Sequence, residues 1–382
     1  MKNAGKVGIA CGCRKLNYGS ILQSYALCEK IKSLGYKCEF VWLKGNLFKH
    51  YNIRIGKILG VSFNSLKHPS IIPRVFRSIR RVTSKTSSYS MPSENRGKFE
   101  EFNRDNIHVK HYTWEELKKT AQQKYCKFVC GSDQIWNSYE YYLDPMYFLR
   151  FTSIDKRIAY APSFGTDTVS YYNRGIIQKY ISEFNSLSVR EESGRTICKD
   201  LIGKDVPVVA DPTFLLDKGE WQKRLDLQIR DDEYCLVYFL NYPNEDALDL
   251  IKRIRSEIPV RALPLNFDCY DKSEIVNAGP REFLELLMNA KYVITDSFHG
   301  TILSINFEKQ FVCFERQYAS IVKQSSRITD VLKRFHLGNR YNISKDDALQ
   351  VLKSEVPYSE LFDEISMFRR LSCEYLTESL KA

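Results

Sequence analysis

Chemistry is easiest to place at Thr295-Asp296-Ser297-Phe298-His299-Gly300-Thr301. An apolar run, Tyr292 to Thr295, leads into it and a helical pattern follows, so it marks a strand giving way to a helix. Unpaired N–H groups at a helix start favour anions, and imidazole is the side chain that titrates near neutral pH. The combination suits proton transfer to a bound anion, with His299 as acid–base group and Ser297, Phe298 and Thr301 around the ligand. The plainer alternative is a histidine that only caps or packs at a turn.

Four further clusters fall at similar places. Asn17-Tyr18-Gly19-Ser20, with Gln23 one turn on, joins a strand to a helix, and its glycine permits close approach of a ligand; an ordinary turn explains it equally well. Gly131 to Asn137 offers Ser132 and Asp133 to sugar hydroxyls, with Trp136 as an apolar wall. An Asx-type turn beside a core tryptophan is the alternative there. Arg190, in Ser188 to Gly194, has the planar fork that suits carboxylate or phosphate, against a salt bridge to Glu191 or Asp211. Asp211-Pro212-Thr213 closes the next apolar run and would shape the same cleft. Arg316, Lys323 and Arg327 make a last basic set, which an exposed basic loop would also explain.

The elements that must position these residues alternate. Val7 to Cys11 reads as a buried strand, Gly19 to Leu34 as a helix ended by Gly35, and Lys37 to Leu43 as the next strand, a unit that implies a parallel sheet. After an interruption come a helix over 94–104, a segment through Trp114, strands at Tyr125 to Cys130 and Lys156 to Ala161, a helix over 176–184, and a short strand, Leu187 to Val189. A second alternating series begins near 205. Its strands are Val206 to Ala210, Cys235 to Leu240, Val260 to Leu265, Tyr292 to Thr295 and Phe311 to Phe314; its helices are 244–257, 280–289, 299–306 and 326–335. The expectation is an α/β protein of two Rossmann-like domains, 1–185 and 186–340, with a central cleft, and a helical tail, 341–382, packing back on the first domain. In such sheets ligands bind beyond the carboxyl ends of the strands, where each cluster above falls.

Composition narrows the class. The 43% hydrophobic content supports real cores and excludes a disordered or fibrous chain. No run is apolar enough to span a bilayer, and the glycine-rich start does not read as a signal peptide. The eleven cysteines lack zinc spacing, so reduced structural thiols and no metal are expected. The net charge is +11, and ten Lys or Arg with no Asp or Glu lie between Lys44 and Lys85. The remainder is close to neutral. Apolar residues are interleaved with that charge, so the insertion, 44–90, fits docking on an anionic membrane surface; a solvated insertion is the alternative. No nucleic-acid motif accompanies the charge. The expected location is the cytoplasm, peripheral to the inner face of the membrane.

Taken together and in order, NYGSILQSYAL, GSDQIWN, YAPSFG, SVREESG, DPTFLL and TDSFHGT resemble the polysaccharide pyruvyl transferase family, from about residue 8 to about 335. The resemblance implies a GT-B-like fold, phosphoenolpyruvate as donor, no cofactor, and a saccharide acceptor such as a lipid-linked precursor of a cell-surface glycan. It implies that His299 is the general acid and that Arg190 binds the donor's acid groups. With that chemistry, Asn17, Tyr18, Gly19, Gln23, Ser132 and Trp136 are expected on the acceptor side, and Asp133 as a base toward the sugar hydroxyl. Many members carry Arg two residues before that histidine. Ser297 stands there in this chain, and Arg316 or Arg327 is expected to supply the missing charge. A nucleotide-sugar glycosyltransferase is the rival reading, with Glu315 as its one candidate ribose ligand; a glycan-binding module without catalysis is another.

Overall fold

The computed structural model describes residues 5–12, 16–44, 53–73, 93–140, 142–263, 269–317 and 326–382. Much of the basic stretch, the polar segment 83–92, Cys13 and Lys323 lie outside them.

Two parallel sheets organise the chain. The first contains β1 (Lys6–Ala10), β2 (Lys37–Leu43), β3 (Val109–Tyr112), β4 (Lys127–Cys130), β5 (Arg157–Ala159) and β6 (Ser186–Leu187), in the order β3-β2-β1-β4-β5-β6. The second contains β7 (Cys235–Tyr238), β8 (Val260–Ala262), β9 (Tyr292–Thr295) and β10 (Gln310–Cys313), in the order β10-β9-β7-β8. Strands of parallel sheets are covered on both faces and so read as unbroken apolar runs. Cys235–Tyr238 accordingly has every residue buried. The expected α/β architecture of two Rossmann-like units is present.

The described helices are α1 (Tyr18–Ser33), α2 (Ile53–Lys67), α3 (Ser93–Asn106), α4 (Trp114–Lys124), α5 (Arg174–Ser182), α6 (Glu192–Ile202), α7 (Lys218–Leu225), α8 (Glu245–Arg255), α9 (Pro280–Asn289), α10 (Phe298–Asn306), α11 (Ser326–Arg334), α12 (Lys345–Lys353) and α13 (Tyr358–Lys381). Their starts follow local chemistry. The Asn17 side chain accepts from Ser20 N at 3.1 Å and Ser297 from Gly300 N at 3.3 Å, satisfying orphan donors of the first turn. Helix α4 and strand β3 were not read from the sequence. The signal for α4 was Thr113-x-x-Glu116, a reciprocal capping box with bonds of 3.2 and 2.7 Å.

One boundary needs correcting. Val206 to Ala210 does not open the second sheet. Val208 bridges Val189, and Val209 N donates to Val189 O at 2.9 Å, so this segment extends the edge of the first sheet. Ile197, Cys198, Leu201 and Val206 share the first unit's core, so the region from 186 to about 209 packs there rather than in a second domain. The apolar side chains decide this by burying against the nearest open edge, which spacing along the chain could not reveal.

The two units share a hydrophobic seam. Tyr18 packs with ring centroids 4.8 Å from both Phe99 and Phe283, and its hydroxyl donates to Ala278 O at 2.7 Å. Helix α13 bridges both units. Tyr375 donates to Ala159 O at 3.0 Å in the first, and Arg369 Nε donates to Phe214 O at 2.8 Å beside the second.

Candidate functional site

Each sheet has a point where the connections after neighbouring strands diverge: between β1 and β4 in the first, and between β7 and β9 in the second. The open crevice of an α/β sheet lies at such a point. Here the two points meet. A Cβ on Gly19, at the start of α1, would lie 2.1 Å from His299 Nδ1, at the start of α10. Only a residue without a side chain lets these helix starts touch.

His299 is nearly buried, and its Nε2 has no hydrogen-bond partner. The nearest carboxylate oxygen is Asp211 Oδ2, at 3.6 Å. That oxygen also accepts from Arg190 Nη1 at 2.8 Å, while Asp211 Oδ1 accepts from Thr213 N at 3.0 Å and Thr213 Oγ1 at 2.8 Å. Burial pushes the Asp211 carboxyl up, but His299, Arg190 and the Thr213 N–H outweigh it and hold the group well below the usual carboxylate range. An ionised Asp211 is the counter-charge an imidazolium at His299 requires.

Arg190 is more fully engaged than a donor-binding role alone would need. Its Nε donates to Glu191 Oε1 at 2.9 Å and its Nη1 to Asp211, leaving Nη2 without a partner. Burial opposes its charge, but Glu191, Asp211 and Asp133 more than offset that and drive its pKa up. Both alternatives read from the sequence, the bridge to Glu191 and the bridge to Asp211, are formed at once.

Phe298 lies under this guanidinium, 4.3 Å from ring centroid to Arg190 Cζ, and Arg327 Cζ stands 5.7 Å from the same ring. Arg327 therefore belongs to the cluster, beside a cavity of about 30 Å³ lined by Arg190, Asp211 and Phe298 among others. Arg316 lies elsewhere, with Nε 3.6 Å from Asp296 Oδ2. Asp296 also accepts from Leu240 N at 2.6 Å and Asn241 N at 3.0 Å, tying the β7 and β9 loops together. Ser297 is the buried cap of α10, and Thr301 is wholly buried with its hydroxyl bonded to Ser297 O at 3.0 Å. Thr301 is thus a helix-start brace and has no surface for a ligand.

On the first sheet the expected acceptor residues divide. Asn17 is half-buried at its cap, and Gly19 touches His299. Tyr18, Gln23 and Trp136 require correction. Tyr18 belongs to the seam between the units. Trp136 is 0% exposed, stacked 5.3 Å from Phe148, with Nε1 donating to Tyr147 O at 3.0 Å, so it is core. Gln23 is equally buried; its Oε1 accepts from Ser132 N at 3.0 Å, and its Nε2 donates to Ser20 O at 2.9 Å. In each case the aromatic or amide group found partners inside the protein, as buried polar groups must.

Ser132 Oγ lies 2.8 Å from Ala161 O and 3.2 Å from Asp211 Oδ2, so it links the first sheet's turn to the His299 cluster. Asp133 accepts from Ser20 Oγ at 2.7 Å and from Gln134 N at 2.8 Å. Both its oxygens are committed to bracing, which argues against its expected role as a free base. Ser20 belongs to the Asn17–Ser20 cluster named from the sequence, but its bond to Asp133, 113 positions later, has no signal there. Among the described residues, no group of three or more His, Cys, Asp or Glu is placed to hold a metal ion. Glu315, the rival ribose ligand, is half-buried just after β10.

No curated protein matches the chain. Similar solved structures include the UDP-GlcNAc 2-epimerase of Methanocaldococcus jannaschii, with TM-score 0.48, 11% identity, and 92% of this chain and 93% of that chain covered. The UDP-N-acetylglucosamine 2-epimerase of Rickettsia bellii gives TM-score 0.45, 10% identity, and coverage of 99% and 97%. The sequence model of one family, Polysaccharide pyruvyl transferase, matches residues 17–318, which runs from the α1 cap through the His299 turn to just past β10. With most of its length and every site cluster up to Arg316 inside that match, the chain belongs to the polysaccharide pyruvyl transferase family.

Proposed function

We propose that this protein transfers the pyruvyl group of phosphoenolpyruvate to two hydroxyls of a sugar, in a polysaccharide or its lipid-linked precursor, forming a cyclic ketal and releasing phosphate. The observation that carries this reading is the His299 imidazole, its buried Nε2 3.6 Å from an ionised Asp211, where the two sheets' carboxyl edges meet.

Phosphoenolpyruvate becomes electrophilic at C2 only after its methylene carbon takes a proton. An imidazolium at His299 supplies it, with Asp211 balancing the charge, as general acid–base chemistry requires. One sugar hydroxyl then bonds to C2, the C2–O bond to phosphate breaks with its electron pair leaving on phosphate, and the second hydroxyl bonds to C2. Of the two hydroxyl protons, one restores His299 and the other departs with phosphate. Arg190 and Arg327 line one small cavity beside Asp211 and Phe298, and guanidinium groups suit the donor's carboxylate and phosphate. Asp133 is given no proton to carry, because both its oxygens are engaged.

The test is incubation of the protein with phosphoenolpyruvate and a panel of lipid-linked and aryl galactosides, glucosides and mannosides, read by mass spectrometry for an added pyruvyl unit. Melting-temperature shifts with phosphoenolpyruvate and with UDP-sugars accompany it. Stabilisation by phosphoenolpyruvate and a pyruvylated product are expected. Stabilisation by UDP-sugars alone, with no product, would assign the site to nucleotide-sugar chemistry instead.

A further inference from the structure

Helix α2 is amphipathic in the wrong sense for a helix that serves only its own core. Leu59, Phe63 and Leu66 are 63%, 53% and 81% exposed. Their spacing of four and three residues puts them on one face. Asn64, on another face, is buried. The helix therefore turns a polar residue inward and an apolar stripe to solvent. Lys67 Nζ sits 4.5 Å from the Phe63 ring centroid, at the stripe's margin.

Along the sequence, the charge flanking the stripe has one sign. Ten Lys or Arg and no Asp or Glu lie between Lys44 and Lys85. A second copy of this chain would oppose like charge to like charge, and a nucleic acid would leave the aliphatic stripe without a partner. An anionic bilayer satisfies both features: acyl-chain boundary for the stripe, lipid phosphates for the cations. Position adds a third observation. The segment leaves the first sheet at Leu43, the carboxyl end of β2, on the sheet edge that also carries Gly19 and Ser132. Ser70 and His68 rest on Tyr171, in the connection that leaves β5 at that edge, with hydroxyls 2.6 Å apart and ring centroids 5.0 Å apart.

We infer that α2 docks the protein on an anionic membrane surface, seating Leu59, Phe63 and Leu66 in the headgroup boundary. The inference does not rest on the reaction proposed above, and its test needs no activity. The full chain is floated with phosphatidylcholine vesicles that either contain or lack phosphatidylglycerol, at low and high salt. Co-flotation with the anionic vesicles, reversed by salt, is expected. The L59S/F63S/L66S variant, which changes only exposed side chains, should keep its melting temperature and lose about tenfold or more of its vesicle partitioning. The inference fails if the parent protein stays unbound. It fails too if the variant floats equally well, or if the substitutions instead convert a lipid-free dimer to a monomer, which would make the stripe a self-association face.

Discussion

The two carboxyl-edge turns that meet at the site are built from similar residues and do different work. In the turn after β4, the Ser132 N–H, the Ser132 hydroxyl and the Asp133 carboxylate all find protein partners. In the turn after β9, Asp296 and Ser297 are bonded in the same way, but the buried His299 Nε2 makes no close hydrogen bond and has only the Asp211 carboxylate near it, at 3.6 Å. A polar group kept both buried and unpartnered costs stability unless something else uses it. Under the proposed reaction the contrast separates framework from function: the first turn positions, and the second turn acts.

The sharpest way to break this comparison is H299A. If His299 is the general acid of the proposed reaction, this change should lower phosphate release from phosphoenolpyruvate by about 10²- to 10⁴-fold, with the melting temperature close to that of the parent. Near-normal turnover would return His299 to the framework. R190A tests the pairing behind it. Stripping the guanidinium leaves Glu191 and Asp211 buried without their cation, so denaturant unfolding should show a loss of about 3–5 kcal/mol. A variant of full stability with only a raised Michaelis constant for phosphoenolpyruvate would make Arg190 a donor ligand and nothing more.

G19A probes the meeting point itself. The added methyl cannot fit 2.1 Å from the imidazole, so His299 must move, and a misplacement near 1 Å costs about 10²-fold in turnover. Q23A should do the opposite of H299A. It strands the Ser132 N–H and costs about 1–3 kcal/mol of stability, measured by chemical denaturation, with a smaller effect on turnover. Equal loss of turnover in Q23A and H299A would erase the distinction between the turns.

The smallest effect expected is on acid stability. Asp211 has a lowered pKa in the folded protein, so the unfolded chain binds its proton more readily. Its stabilisation is complete above the ordinary carboxylate range and fades as the pH falls toward the folded value. D211N should flatten that part of the stability–pH curve; an unchanged acid limb would show that Asp211 is not the group responsible.

Much of this protein was readable along the chain, because the determining interactions are local. Apolar runs such as Tyr292–Thr295 and Cys235–Tyr238 are short and bounded by turn signals, which suits strands covered on both faces. The caps at Asn17 and Ser297, and the stop at Gly35, follow from backbone groups within a few residues. His299 stood out for the same reason, an imidazole at a strand-to-helix turn. What the linear order could not disclose were partners far apart in sequence. Trp136 looks like a ligand wall, and Tyr18 like an acceptor contact, until Phe148, Phe99 and Phe283 are packed against them. Gln23 looks like a binding amide until Ser132, 109 positions later, takes its oxygen. The segment 206–210 has a strand's composition, but which sheet it joins depends on which edge stands open when the units assemble. The electrostatics of the site belong to the same class. Asp211 draws together Arg190, 21 positions away, with Ser132 and His299, and low-dielectric burial makes that encounter decisive.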